Sequence, residues 1–204
     1  MLLCSEILIA IYRFLPLLQN RLYMAKLYIN KDIVADKDKM ENSYLTGEEG
    51  LSFPDIQNFL SWIDPNDHVI DIEIHSCGGD AVEGYAIYDA LRASGKQISC
   101  TAVGRCASMA TVILLAAAKE RRFAYPHAKF LIHKPYMASY DGDLDLETLE
   151  SIKSNLESEK NKMLALYVER TGSEASVIEA QMNKAGWFGG ETAKQLGFIT
   201  TVLM

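Results

Sequence analysis

The apolar residues of this chain switch repeatedly between two spacings, and that switching restricts its fold more than any other property. His68–His75 (HVIDIEIH) alternates apolar and polar residues with the period of two that marks a half-buried strand, and it runs straight into Cys77-Gly78-Gly79-Asp80. From Ala81 to Arg92 the spacing becomes helical, carried by Val82, Tyr85, Ala86, Tyr88, Ala90 and Leu91. The pattern then repeats, with a strand over Ile98–Val103, a small-residue turn at Gly104–Ala107 and an apolar helix over Met109–Ala118. Further strands are expected around Phe123–Ala124 and over Lys129–His133. Parallel neighbours need a crossover between them, so this alternation predicts βαβ units, an α/β fold and a mainly parallel sheet. Ligands of such sheets bind at the carboxyl ends of the strands.

The rest of the chain fits around that frame. A first strand is expected over Lys26–Ile33, a polar loop over Ala35–Leu51 and a helix over Asp55–Trp62. A long helix, Leu144–Arg170, carries only a narrow apolar stripe (Leu149, Ile152, Leu156, Met163, Leu166) among many charges, as suits a surface helix or one that reaches a partner subunit. Shorter helices over Ser176–Lys184 and Glu191–Leu196 follow, with Gly197 as a C-cap and Phe198–Leu203 as a closing strand. Residues 24–204 read as a single domain, and residues 1–23 as an apolar N-terminal extension outside the core, with Met24 the functional beginning. Glu6, Arg13 and Pro16 interrupt that extension, and it lacks a basic n-region and a small-residue cleavage site, so neither a signal peptide nor a membrane anchor is expected.

Lys plus Arg number 20 against 27 Asp plus Glu, a net charge of -7 that argues against a nucleic-acid partner. Cys4, Cys77, Cys100 and Cys106 lie far apart with no CxxC pair and no histidine at zinc-finger spacing, which points to reduced thiols, a cytoplasmic protein and no metal.

Three turns carry residues with chemical potential. Gly104-Arg105-Cys106-Ala107-Ser108-Met109-Ala110 places a serine between a buried strand and an apolar helix, where its hydroxyl could act as a nucleophile beside free N–H groups or simply cap the helix. Phe130-Leu131-Ile132-His133-Lys134-Pro135 puts an imidazole at the end of an apolar strand, as a base for a neighbouring serine or as a structural histidine. Ser76-Cys77-Gly78-Gly79-Asp80 can aim consecutive N–H groups into a cleft or serve as a tight turn. Neither GxGxxG nor the Walker pattern is present, which excludes the common phosphate loops.

In this order and spacing, the three motifs resemble the Clp-protease proteolytic-subunit family of serine peptidases, and in particular its prophage-type branch. The matching stretch is Ile72–Pro135: IEIHSCGGDAVEGYAIYDALR stands at the family's strand, Gly-Gly turn and helix, GRCASMA at its nucleophile turn and FLIHKP at its histidine strand. Ser108 and His133 are 133 − 108 = 25 residues apart, in agreement with the family. The resemblance implies a ββα superhelix shared with the crotonases, with Leu144–Arg170 as a long handle helix interlocking two heptameric rings. It also implies an endopeptidase with Ser108 as nucleophile, His133 as general base, the N–H groups of Gly79 and Met109 as oxyanion hole, and Gly78-Gly79 as the edge beside which extended substrate lies. The implied partners are protein substrates, a homo-oligomer as ring or double ring and an AAA+ unfoldase. No cofactor is implied, with ATP entering only through that unfoldase, and neither membrane nor nucleic acid is among the partners.

The chain departs from the family at the third triad member. Ile178–Phe188, where the family's aspartate belongs, contains no Asp, and Asn183 is the expected replacement because a neutral amide can still orient an imidazole. Glu179, a carboxylate from the Asp141–Asp145 loop, or a Ser-Lys dyad using Lys184 or Lys134 are the alternatives. Cys77 and His75 also replace the family's usual residues. Two further readings follow: a weak or inactive subunit with a structural role, and an acyl-CoA enzyme of the crotonase class. For an active peptidase, both unfoldase-coupled degradation and the processing of phage head proteins fit the resemblance.

Overall fold

The computed structural model describes residues 24–47, 49–137, 140 and 142–204. The N-terminal extension expected over residues 1–23 and the carboxylate of Asp141 lie outside the described residues. The sheet is assembled from β1 (Met24–Ile29), β2 (Val69–Ser76), β3 (Gln97–Ala107), β4 (Arg122–Ala124) and β7 (Thr201–Val202), in that order and parallel throughout. β5 (Lys129–Leu131) also pairs with β3 in parallel, and β6 (Phe188–Gly189) pairs with β5 antiparallel. Between the strands run α1 (Lys39–Thr46), α2 (Phe53–Trp62), α3 (Ala81–Ala93), α4 (Met109–Leu114), α5 (Leu146–Thr171), α6 (Ala175–Lys184) and α7 (Gly190–Gln195).

The period-two pattern of β2 sends Ile70, Ile72, Ile74 and Ser76 into the core and leaves Asp71, Glu73 and His75 on the other face. Against that core pack Tyr85, Ile87, Tyr88 and Leu91 of α3, and α4, which is buried on every side. On the outer face, Lys26 of β1 pairs with Glu73 at 2.7 Å and with Asp71 at 3.5 Å, so this face of the sheet is charged.

Two sequence expectations change here. Gly104–Ala107 is not a turn but the second half of β3, whose first half (Cys100–Ala102) pairs with β4 and whose second half (Arg105–Ala107) pairs with β5. The register against β2 slips between Ile74↔Ala102 and Ser76↔Cys106, and Gly104 sits in the slip, where a Cβ would collide with the His75 ring. Secondly, the expected loop Ala35–Leu51 contains a turn of 3-10 helix at Asp36–Asp38 and the helix α1. Periodicity missed α1 because it has no buried stripe: Met40, Tyr44 and Leu45 are 85%, 89% and 72% exposed. Polar contacts hold it instead. Lys39 Nζ reaches Asp36 at 3.1 Å and Asp55 at 2.7 Å, while Ser52 and Asp55 form the capping box of α2. Smaller differences are that Ile33 joins isolated bridges beyond the end of β1, the helix after Ser108 stops at Leu114, and β5 ends at Leu131, two residues before His133.

Arg122 is the largest fully buried side chain. Its Nε donates to Ala117 O at 2.9 Å and its Nη1 to Arg170 O at 2.8 Å, fastening the end of α5 to the segment after α4. Burial, then the nearby charge of Arg170, lower its pKa to about 10, so it stays cationic at neutral pH.

Among the described residues no helix is long and apolar enough to cross a membrane, and no cluster of His, Cys, Asp or Glu is arranged to hold a metal ion.

Candidate active site

The carboxyl end of β3 delivers Ser108 in an unusual conformation. Its φ of 52° and ψ of -127° lie outside the regions favoured by residues with a Cβ, a strain of about 1–3 kcal/mol for such a residue. Backbone bonds on both sides keep it there. Its N–H donates to Leu131 O at 2.9 Å, and its carbonyl accepts from Thr111 N at 2.9 Å and Thr111 Oγ1 at 2.6 Å. Although Ser108 precedes α4, its side chain makes no capping hydrogen bond. Simple N-capping therefore does not account for this serine, whose Oγ is left to the cleft.

Gly78 fits against that turn so closely that a Cβ on it would stand 2.7 Å from Met109 N and 2.8 Å from Ser108 Cβ. Gly78 and Gly79 have φ of 87° and 144°, which residues with side chains rarely adopt. The pair is fixed by Ile33, whose N–H donates to Gly78 O and whose carbonyl accepts from Asp80 N, both at 2.8 Å. Ser76 Oγ accepts from Gly78 N at 3.0 Å and donates to Lys31 O at 2.7 Å. In this parallel bridge Gly78 O and Asp80 N point at Ile33, so alternation turns the N–H and C=O of Gly79 the opposite way. Both are open to an added strand.

Ser108, Met109, Gly78, Gly79 and His133 line one cleft of about 870 Å3, and Cys77, Pro135, Tyr136 and Met163 contribute to its walls. The far wall includes Asp32, Asp38, Glu41 and Leu45, from a segment whose sequence gave no signal of a role in the site. His133 follows β5, the strand paired with the end of β3, which is why its sequence separation from Ser108 closes to neighbouring positions in space. Its Nδ1 lies 2.6 Å from Lys134 O, and its ring centroid 5.5 Å from that of Tyr136.

Asn183, near the end of α6, is exposed and shares a second pocket with His133, Leu131, Lys134, Tyr136, Met182 and Ala185. Among the described residues no hydrogen bond joins Asn183 to the imidazole. Glu179 is engaged elsewhere, 2.5 Å from Lys160 Nζ, and the hydrogen bond and charge of that lysine hold its carboxyl below the usual range. Asp145 accepts from Thr148 N and caps α5. Ala185, unremarked in the sequence, adopts a left-handed φ of 46° at the edge of the pocket. Cys77, Cys100 and Cys106 are free thiols, and burial pushes Cys100 up to about 12 and Cys106 well above the ordinary thiol value, so neither buried thiol is a nucleophile.

A family model described as Clp protease matches residues 55–204. The ATP-dependent Clp protease proteolytic subunit 1 of Chlamydia abortus is 30% identical over 149 residues, covering 71% of this chain and 74% of that protein. The ATP-dependent Clp protease proteolytic subunit of Porphyromonas gingivalis is 30% identical over 152 residues, covering 72% and 66% respectively. Among solved structures, an Asn-to-Asp mutant of ClpP1 from Listeria monocytogenes superposes with a TM-score of 0.70 at 20% identity, over 93% of this chain and 95% of that one.

Proposed function

The chain belongs to the Clp protease family, and from that premise we propose that it is a serine endopeptidase working at the cleft around Ser108. The observation that carries this reading is the strained serine without a capping role, opening into the same cleft as His133. An extended peptide would lie beside Gly78-Gly79 as an added strand, donating to the C=O of Gly79, so that main-chain bonds give binding with little sequence preference. Ser108 Oγ attacks the peptide carbonyl carbon while His133 Nε2 takes its proton. The N–H groups of Gly79 and Met109 receive the oxyanion. Collapse breaks the C–N bond, the amine leaves with the proton from His133, and water repeats the cycle on the acyl-serine. Asn183 shares a pocket with His133 as a neutral amide, which brings no charge to an imidazolium.

A fluorophosphonate probe tests the reading, labelling the wild-type protein at Ser108 and leaving Ser108→Ala unlabelled. Equal labelling of both refutes it.

A second reading, a subunit of low activity with a structural role, is favoured by one observation: among the described residues no carboxylate is hydrogen-bonded to His133. Under that reading Asn183→Asp raises peptide hydrolysis, because the pocket shared with His133 receives a charge.

The assembly we propose is a homo-oligomeric ring or double ring built through α5, with ATP used only by a partner unfoldase. Support comes from the 60% exposure of Leu144 just before that helix and the 81% and 48% exposure of Leu146 and Leu149 in its first turns.

A further inference from the structure

The imidazole of His133 is held from behind by main chain. A carbonyl oxygen only accepts hydrogen bonds, so the 2.6 Å contact between Nδ1 and Lys134 O requires the proton on Nδ1. A neutral ring protonated there carries its lone pair on Nε2, which is the tautomer a base facing a serine needs. Among the described residues the competing side chains are engaged or short of the ring: Glu179 is paired with Lys160, Asp145 caps α5, and Asn183 shares the pocket without bonding the imidazole. Nor is the carbonyl free to swing. Pro135 follows it, and the ring of a proline confines the preceding residue to extended conformations. Pro135 is itself fixed in φ and seated in the cleft wall beside His133.

We propose that the main-chain carbonyl of Lys134, set in place by Pro135, is the group that orients the imidazole in this chain, where a side-chain carboxylate or amide would otherwise serve. The proposal rests on His133 being the base, as argued above. The carbonyl is a positioning group. When Ser108 attacks, its O–H bond breaks and an Nε2–H bond forms, while the Nδ1 proton stays on nitrogen and keeps its bond to Lys134 O. Being neutral, the carbonyl fixes the tautomer and the ring angle but places no negative charge opposite the imidazolium. This chain thus gets the geometry of a triad from a dipeptide, Lys134-Pro135, without the electrostatics.

The test reads the tautomer directly. In the full-length protein with 15N-labelled histidine, two-bond 1H–15N spectra above neutral pH show His133 in its Nδ1–H form, the resonance being identified by its loss in His133→Gln. Pro135→Gly releases the carbonyl. The spectrum then shifts towards the Nε2–H form, and kcat for a fluorogenic peptide falls about tenfold or more while KM stays within about a factor of two. Adding Asn183→Asp to Pro135→Gly restores kcat, because a side chain takes over the lost role. Pro135→Ala, read against its thermal midpoint, serves the same purpose if the glycine variant does not fold. An Nε2–H tautomer in the wild-type protein overturns the proposal, as does a Pro135 variant that changes neither tautomer nor kcat. The spectrum decides this whether or not Ser108 takes a fluorophosphonate label, so failure of the positioning role and failure of the peptidase reading are told apart.

Discussion

At Ser108 the backbone conformation and the proposed chemistry have opposite effects on stability. A residue with a Cβ held at φ 52° and ψ -127° is strained, and glycine relieves that strain. Ser108→Gly is therefore expected to raise stability by about 1 kcal/mol, a rise in thermal midpoint of roughly 2–4 °C for a chain of this size, while losing all fluorophosphonate labelling. Differential scanning calorimetry checks the first and the probe the second. Gly79 behaves in the reverse sense. A Cβ there would collide with the carbonyl of Ile33, and φ is 144°, so Gly79→Ala is expected to cost about 2 kcal/mol or more, measured as a lower midpoint in urea. Ser108, His133 and the glycine pair were legible in the sequence because each stands where an apolar run stops. Ser108's conformation was not, since it depends on the hydrogen bond to Leu131 O, on a strand that no local pattern connects to it.

Elements were legible in proportion to how much apolar surface they bury. β2 and α3 write their burial into their spacing, and the structure places them within a residue or two of expectation. α1 buries almost nothing apolar and was invisible, because what fixes it is a clasp of charges with no periodicity. That clasp is acid-sensitive. Partial burial would raise the pKa of Asp55, but hydrogen bonds from Lys39 and the Ser52 N–H outweigh it and hold the carboxyl below its ordinary 3.8. A group depressed in the folded state adds stability above its unfolded pKa and loses it as pH falls through the folded one. Limited proteolysis within α1 is thus expected to be slow at pH 6 and to accelerate below the ordinary aspartate range, and Asp55→Asn should weaken that dependence, leaving the part carried by Asp36. Arg122 joins elements in a different way, by donating to a carbonyl at the end of one helix and, together with Arg170, to one in the segment after another. Arg122→Met leaves Arg170 O without this donor, while Ala117 O keeps only the one from Arg170 Nη2, and a loss of about 1–3 kcal/mol is expected in equilibrium urea unfolding.

For the whole molecule, the question is what covers the start of α5. Leu146 and Leu149 stand in water in the single chain, on the helix proposed to carry the ring contacts. Leu146→Glu with Leu149→Glu is expected to leave the circular dichroism spectrum and thermal unfolding of the single chain unchanged while reducing the assembled mass in native mass spectrometry. An unchanged assembled mass would place the contacts elsewhere. The length of α5 was legible from the sequence, whereas its proposed partner surface rests on exposure, a property that only the folded chain displays.

The two bridges that Ile33 makes, one to Gly79 and one to Leu51, have a consequence for how this protein can be altered. Val34 N donates to Leu51 O at 3.0 Å and Leu51 N to Asp32 O at 2.8 Å, so the chain leaves and re-enters the body at adjacent rungs, with residues 35–50 forming a closed excursion. The excursion also lies outside the region matched by the family model. Because the bridge between Ile33 and Leu51 is parallel, the chain has to cross back before it re-enters, so this excursion can be exchanged for another crossover of similar length but not for a short turn. Such an exchange is expected to change one wall of the cleft while the sheet, the Gly-Gly edge and the serine turn keep their places.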